Sequence, residues 1–162
     1  MRNKVIEEIY HEYHTALFLY AFSLCGNKHD AQDLVSETIV KAYLSYHKSS
    51  GSIKNWLLVV LKNIFIDEYR KKRKIVDYPI EIIEDPYDAL EYYIKEEHKR
   101  WLYRKIYSMK EPERSVMLLT IQFALNDKEI ARYLNISEDN VRTIRYRTKN
   151  KLKELARKEG YI

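Results

Sequence analysis

Residues 126–155 read NDKEIARYLNISEDNVRTIRYRTKNKLKEL, and their spacing predicts two helices joined by a tight turn. Ile130, Ala131, Leu134, Ile136, Val141 and Ile144 recur at intervals that pack such a pair on a small core. Asn126 and Ser137 are placed to cap the two helices, and Asn126 with Glu129 has the spacing of a capping box. The turn falls at Asn135, a residue type that tolerates left-handed backbone angles. This is a helix-turn-helix pattern. Beyond Asp139 the second helix carries Arg142, Arg145, Arg147, Lys149, Lys151, Lys153, Arg157 and Lys158 against a single interior acid, Glu154.

A basic helix can be no more than a solvated face, so the geometry has to decide. At about 100° per residue, Val141, Ile144, Thr148, Leu152 and Leu155 form one seam. Arg142, Thr143, Tyr146, Arg147 and Asn150 point away from it, mixing phosphate-binding cations with groups that can meet base edges. Lys149 lies beside them. Arg145 sits near the seam, where its stem is expected to pack while its head snorkels to water.

Working outward, the regular elements elsewhere in the 162 residues also read as helical, and the fold class is all-α. Strand-like alternation is nowhere sustained. The three glycines and three prolines, at 26, 51 and 160 and at 79, 86 and 112, all stand where helices would start or stop. A first helix is expected over 4–25, with Ile6, Ile9, Tyr10, Tyr13, Leu17, Tyr20 and Leu24 inward, ending at Gly26-Asn27. A second follows from about His29 to Tyr46, with Ala31, Leu34, Val35, Thr38 and Ala42 on one face. After the polar break HKSSGS at 47–52, a third runs from Ile53 to about Arg73, with Ser52 as its cap and Ile53, Trp56, Leu57, Val60, Leu61 and Ile64 inward. These three helices make a first unit, residues 1–74. Residues 75–86, IVDYPIEIIEDP, read as an acidic linker that could span roughly 40 Å if fully extended. Residues 87–162 make a second, four-helix unit: one helix over Tyr87–Met109, one near Pro112 with Val116, Leu119 and Phe123 inward, and the helix-turn-helix.

Charge follows the same division. Residues 1–74 hold twelve basic against eight acidic side chains, residues 75–100 three against eight, and residues 101–162 fourteen against eight. Two basic blocks flanking an acidic one, with a sequence pI of about 9.1, point to a polyanionic partner at both ends. The most apolar run, Trp56–Leu61, is far short of a membrane span, and the N-terminus lacks the apolar core of a signal peptide. A soluble, cytoplasmic protein is expected. The lone Cys25 excludes an internal disulfide and reads as core packing.

The pattern offers no enzyme. His11-Glu12-Tyr13-His14 imitates a zincin motif, but its histidines stand at i, i+3 instead of i, i+4. His29, His47 and His98 are isolated and read as surface residues, and no phosphate loop, nucleophile elbow or cysteine cluster occurs. No metal or cofactor is expected.

The first unit becomes specific at Asp30-Ala31-Gln32-Asp33-Leu34-Val35-Ser36-Glu37-Thr38, followed by Trp56-Leu57, Asn63, Asp67 and Arg70. In this order and spacing they resemble region 2 of bacterial RNA polymerase sigma factors of the extracytoplasmic-function (ECF) type, in the sigma-70 superfamily. From Glu111-Pro112-Glu113-Arg114 through the helix-turn-helix, the second unit resembles their region 4. The resemblance covers nearly the whole chain, and no region 3 domain intervenes. It implies a sigma factor that binds core RNA polymerase and directs promoter-specific initiation.

Carried over residue by residue, Asp33, Leu34 and Glu37 would dock on the clamp coiled coil of the β′ subunit, and the resemblance also implies the β flap of core polymerase as a partner. Lys54, Asn63 and Arg70 would hold the opened −10 element, Asn63 at a base edge and the cations on the backbone, joined by the rest of the run Arg70–Lys74, including Lys71 and Arg73. Trp56 could stack on a base but reads better as packing, and Asp67 and Arg70 could pair. Arg142, Thr143, Tyr146, Arg147 and Lys149 would read the −35 element. Ile144 stands where the family often has a basic residue, Arg145 where an apolar one is usual, and Ser36 replaces a frequent Gln. The resemblance also implies an anti-sigma factor as a class of partner, without locating its site. A helix-turn-helix regulator working without polymerase would explain residues 126–155 but leaves the first unit unexplained; it would bind duplex alone, as a dimer.

Overall fold

The computed structural model describes residues 2–45, 52–69 and 84–162, and every regular element among them is helical. The chain forms two compact units, residues 1–84 and 85–162.

Unit 1 contains α1 (Arg2–Cys25), α2 (Lys28–Ser45) and α3 (Ile53–Ile64), the last running directly into a π-helical turn, Phe65–Tyr69. Gly26, at φ 77°, ends α1 as expected of a glycine just past a helix. Asn27 opens α2: its side-chain carbonyl accepts the Asp30 amide at 2.8 Å and its amide donates to Asp30 Oδ2 at 2.9 Å. The Ser52 hydroxyl accepts the Asn55 amide at 3.5 Å and caps α3. The second half of α1 departs from a single apolar stripe. Leu17 through Ser23 are buried without interruption, so this half is enclosed on all sides. Tyr10, expected inward, is exposed on the less enclosed first half. The inward face of α2 is the one the spacing predicts, with Ala31, Leu34, Val35, Thr38 and Ala42 all buried. On α3 the buried set is Leu57, Leu58, Leu61 and Ile64, whereas Ile53, Trp56 and Val60 are only half-buried. The Cys25 side chain is buried in this core.

Beyond Tyr69 the description resumes at Glu84, which still belongs to unit 1. Its amide donates to Gly26 O at 2.7 Å and its carboxylate accepts the Lys28 amide at 3.2 Å, satisfying an otherwise open donor at the start of α2. Most of the 75–86 segment, the 47–51 loop and the far end of the expected third helix lie outside the described residues.

Unit 2 holds five described helices in place of the expected four: α4 (Tyr87–Tyr93), α5 (Glu97–Tyr107), α6 (Glu113–Phe123), α7 (Asp127–Leu134) and α8 (Glu138–Lys158). The added break falls at residues 94–96, where neither glycine nor proline marks it. Ile94 is buried in an extended conformation, and Arg100 Nη1 donates to the carbonyls of Ile94 and Lys95 at 2.8 and 2.7 Å. A side chain from the next helix thus satisfies the carbonyls that the break exposes. At the start of α4 the Asp85 carboxylate accepts the Tyr87 amide at 3.0 Å. Helix α6 is the centre of the unit, with Arg114 through Leu119 all buried; Arg114 is held by Glu111 at 3.2 Å and by Met109 O at 3.2 Å.

The far end of α8 is latched to α5. Glu159 accepts hydrogen bonds from Trp101 Nε1 and, at 2.8 Å, from Lys105 Nζ. Gly160, at φ 82°, turns the chain so that the Tyr161 ring lies 4.9 Å from that of Trp101.

Candidate nucleic-acid and partner interfaces

The helix-turn-helix forms by the local chemistry its sequence predicts. Asn126 Oδ1 accepts the Glu129 amide at 2.8 Å while Glu129 Oε1 accepts the Asn126 amide at 3.1 Å, a complete capping box on α7. Asn135 takes a left-handed conformation, φ 56°, in the turn, and the Ser137 hydroxyl accepts the Asn140 amide at 3.0 Å to start α8. Val141, Ile144, Thr148 and Leu152 are buried beneath α8, together with Ala156, which the predicted seam omits; Leu155 is half-buried.

Arg142, Thr143, Tyr146, Arg147 and Lys149 are all exposed on the outer surface, with Tyr146 at 71%. The structure brings these five together on one helix. Their electrostatic settings differ. Arg142 bonds to Asp139 and lies 3.9 Å from carboxylates of both Asp127 and Glu138, whereas among the described residues no acid lies within ion-pairing distance of Arg147 or Lys149. Arg145 does not snorkel. Its guanidinium turns inward, bonding to Asp127 on α7 and, at 3.2 and 3.3 Å, to Thr120 Oγ1 on α6. A half-buried acceptor on each neighbouring helix holds it there, the carboxylate by a charge-assisted bond.

On α2, Asp33 and Glu37 are exposed, but Leu34, expected beside them, has no accessible surface and belongs to the core. Two apolar residues absent from the sequence-based set are exposed beside them. Val40 and Leu44 are 53% and 71% exposed, and at about 100° per residue they fall within some 60° of Asp33 and Glu37. The signal was present in the sequence as apolar residues off the buried seam. His29, expected to be isolated, pairs with Asp33 at 3.4 Å one turn away and lies beside Asp30.

The π turn carries Glu68 and Tyr69 toward α2, where the Tyr69 hydroxyl donates to Glu37 Oε1 at 3.3 Å. The Glu37 carboxyl is pushed up from its ordinary value by partial burial first, then by the hydrogen bond and charge of Glu68. Burial and the charges of Glu37 and Asp33 push the Tyr69 phenol up as well, keeping it a donor.

The −10 candidates are less united. Lys54 is half-buried and Asn63 exposed, and nine residues of helix place them on opposite sides. Asn63 instead shares a face with half-buried Trp56 and exposed Val59. Arg70, Lys71 and Arg73 lie outside the described residues, and with them the Asp67–Arg70 pair. No described helix is long and apolar enough to cross a membrane.

Two all-helical units, the second ending in a capped helix-turn-helix with an outward basic face, place the chain in the class of helix-turn-helix proteins. Residues 9–75 match the family model described as Sigma-70 region 2. The chain is similar to ECF RNA polymerase sigma factor SigM of Bacillus subtilis (strain 168), 32% identical over 153 residues that cover 93% of this chain and 94% of the relative. It is also similar to two others of that organism: RNA polymerase sigma factor YlaC, 29% identical over 92% of this chain and 90% of the relative, and ECF RNA polymerase sigma factor SigX, 27% identical over 86% and 77%. This chain belongs to the ECF family of RNA polymerase sigma factors, proteins of transcription initiation.

Proposed function

We propose that the two units divide initiation between them, unit 1 binding core polymerase and opening the −10 element while unit 2 reads the −35 element. The observation that carries this reading is the outward face of α8, where Thr143, Tyr146, Arg147 and Lys149 stand clear of a buried seam on a fully capped helix-turn-helix. Such a helix fits a major groove, with cations for phosphates and hydroxyl-bearing side chains for base edges.

Core binding falls to α2. Asp33 and Glu37 supply charge, and Val40 and Leu44 supply the apolar area that a docking helix on the β′ clamp would cover. The β flap is the partner of unit 2. On α3, Asn63 with Trp56 and Val59 makes a polar and aromatic face suited to a separated strand. Lys54, Arg70, Lys71 and Arg73 are assigned to the DNA backbone on their charge alone. An anti-sigma factor would act by covering these same surfaces.

The test is transcription in vitro from pooled genomic fragments, using bacterial core polymerase with and without the protein, followed by mapping of start sites. New starts that share two spaced elements are expected. Binding of duplex DNA as a dimer, with neither core binding nor new starts, would replace this reading by a regulator that works without polymerase.

A further inference from the structure

We propose that Asp127 is a positioning and specificity-determining residue of α8, locking Arg145 inward and withholding Arg142 from DNA. The inference rests on the reading of α8 as the −35 reader. Asp127 is the first residue of α7, and its two carboxylate oxygens face different arginines of α8: Oδ1 bonds Arg145 Nη1, and Oδ2 lies 3.9 Å from Arg142 Nη1.

Arg145 is held at all three of its nitrogens by this arrangement. Its Nε and Nη2 donate to Thr120 Oγ1, and that hydroxyl donates in turn to Val116 O at 2.7 Å, so the guanidinium is tied to α6 as well as to α7. With the Arg145 and Asp127 side chains only 22% and 26% exposed, the pair is less screened than one at the surface. It fixes how α8 is rotated against α6 and α7, and therefore which residues face a groove.

Arg142 is exposed, yet Asp127, Glu138 and Asp139 surround it. A phosphate bound to Arg142 would lie close to three carboxylates, whose like charge opposes it, and a guanine edge would compete with them for the same donors. Arg147 and Lys149 carry no such burden. DNA contact accordingly centres on Thr143, Tyr146, Arg147 and Lys149, with Arg142 contributing little.

Two measurements on the full chain test this. The first selects preferred upstream bases from a duplex library with a randomised −35 region, using the chain assembled with core polymerase. The second titrates a random-sequence duplex over a range of salt. Asp127→Asn should change the preferred bases and tighten random-duplex binding about threefold at low salt, as a released cation gains a phosphate. Asp139→Asn should tighten binding without altering preference, because Arg145 keeps its acceptor. Arg142→Ala should cost less than Arg147→Ala.

If Asp127→Asn stays folded by circular dichroism and selects the same bases, or binds with unchanged affinity, Asp127 neither sets the register of α8 nor withholds Arg142, and the proposal fails. If that variant does not fold, Arg142→Ala and Asp139→Asn decide: a loss at Arg142 equal to that at Arg147, or no gain at Asp139, overturns it. Failure of the wild-type protein to select any upstream element with core would remove the −35 reading itself, and this inference with it.

Discussion

At the scale of single residues, burial separates side chains that hold the fold from those free to meet a partner. Leu34 lies wholly in the core, so Leu34→Ala should cost unit 1 about 2–5 kcal/mol in a denaturant titration, through lost burial and the cavity left behind. Asp33→Ala should leave the unfolding midpoint near wild type and weaken binding to core polymerase. Ala124 offers the opposite case. It ends α6 at φ 49°, a left-handed conformation that a β-carbon disfavours, and Ala124→Gly should raise stability by about 1 kcal/mol, seen as a higher melting temperature. The sequence showed the Leu34 period correctly, with Ala31, Leu34, Val35 and Thr38 on one seam. The motif match drew Leu34 into the docking set, although its helical register already placed it inside.

Among the elements, legibility tracks how local the deciding interaction is. The capping box of Asn126 and Glu129, the turn at Asn135 and the cap at Ser137 depend on neighbours within three or four residues, so spacing alone revealed them. The break between α4 and α5 depends on Arg100 reaching back to two carbonyls, and the π turn after α3 brings Tyr69 to a residue 32 positions earlier. Neither leaves a glycine, a proline or a change of period to read. The same distance hid the inward turn of Arg145, whose acceptors sit on two other helices. Two outcomes belong at this scale. Val40→Ser with Leu44→Ser should weaken core binding without lowering the melting temperature, since both side chains are exposed. Arg147→Ala should weaken DNA binding across all sequences or relax it at one position, and the slope of log affinity against log salt tells the cases apart, falling in magnitude by about one for a lost phosphate contact.

For the molecule as a whole, the net charge of +5 predicts DNA binding that weakens steeply with ionic strength, measurable as that same slope on the assembled complex. Acid should loosen the C-terminal latch. The Glu159 carboxyl is held below its ordinary value by hydrogen bonds from Lys105 and Trp101. A carboxyl depressed in the folded state contributes stability that is fully present above its unfolded value and is lost as the pH falls through the folded one. Glu159→Gln should therefore melt below wild type at neutral pH, and the two should converge in acid. The latch has another consequence. With one end of α8 fastened to α5 through Glu159 and Tyr161, and the other to α6 and α7 through Arg145, the helix has already surrendered most of its freedom before DNA arrives. If unit 2 reads promoter DNA as proposed, little ordering is left for the encounter to demand of it, and the event should resemble the meeting of two finished surfaces. Association would then be set by diffusion and charge, with only a modest change in heat capacity.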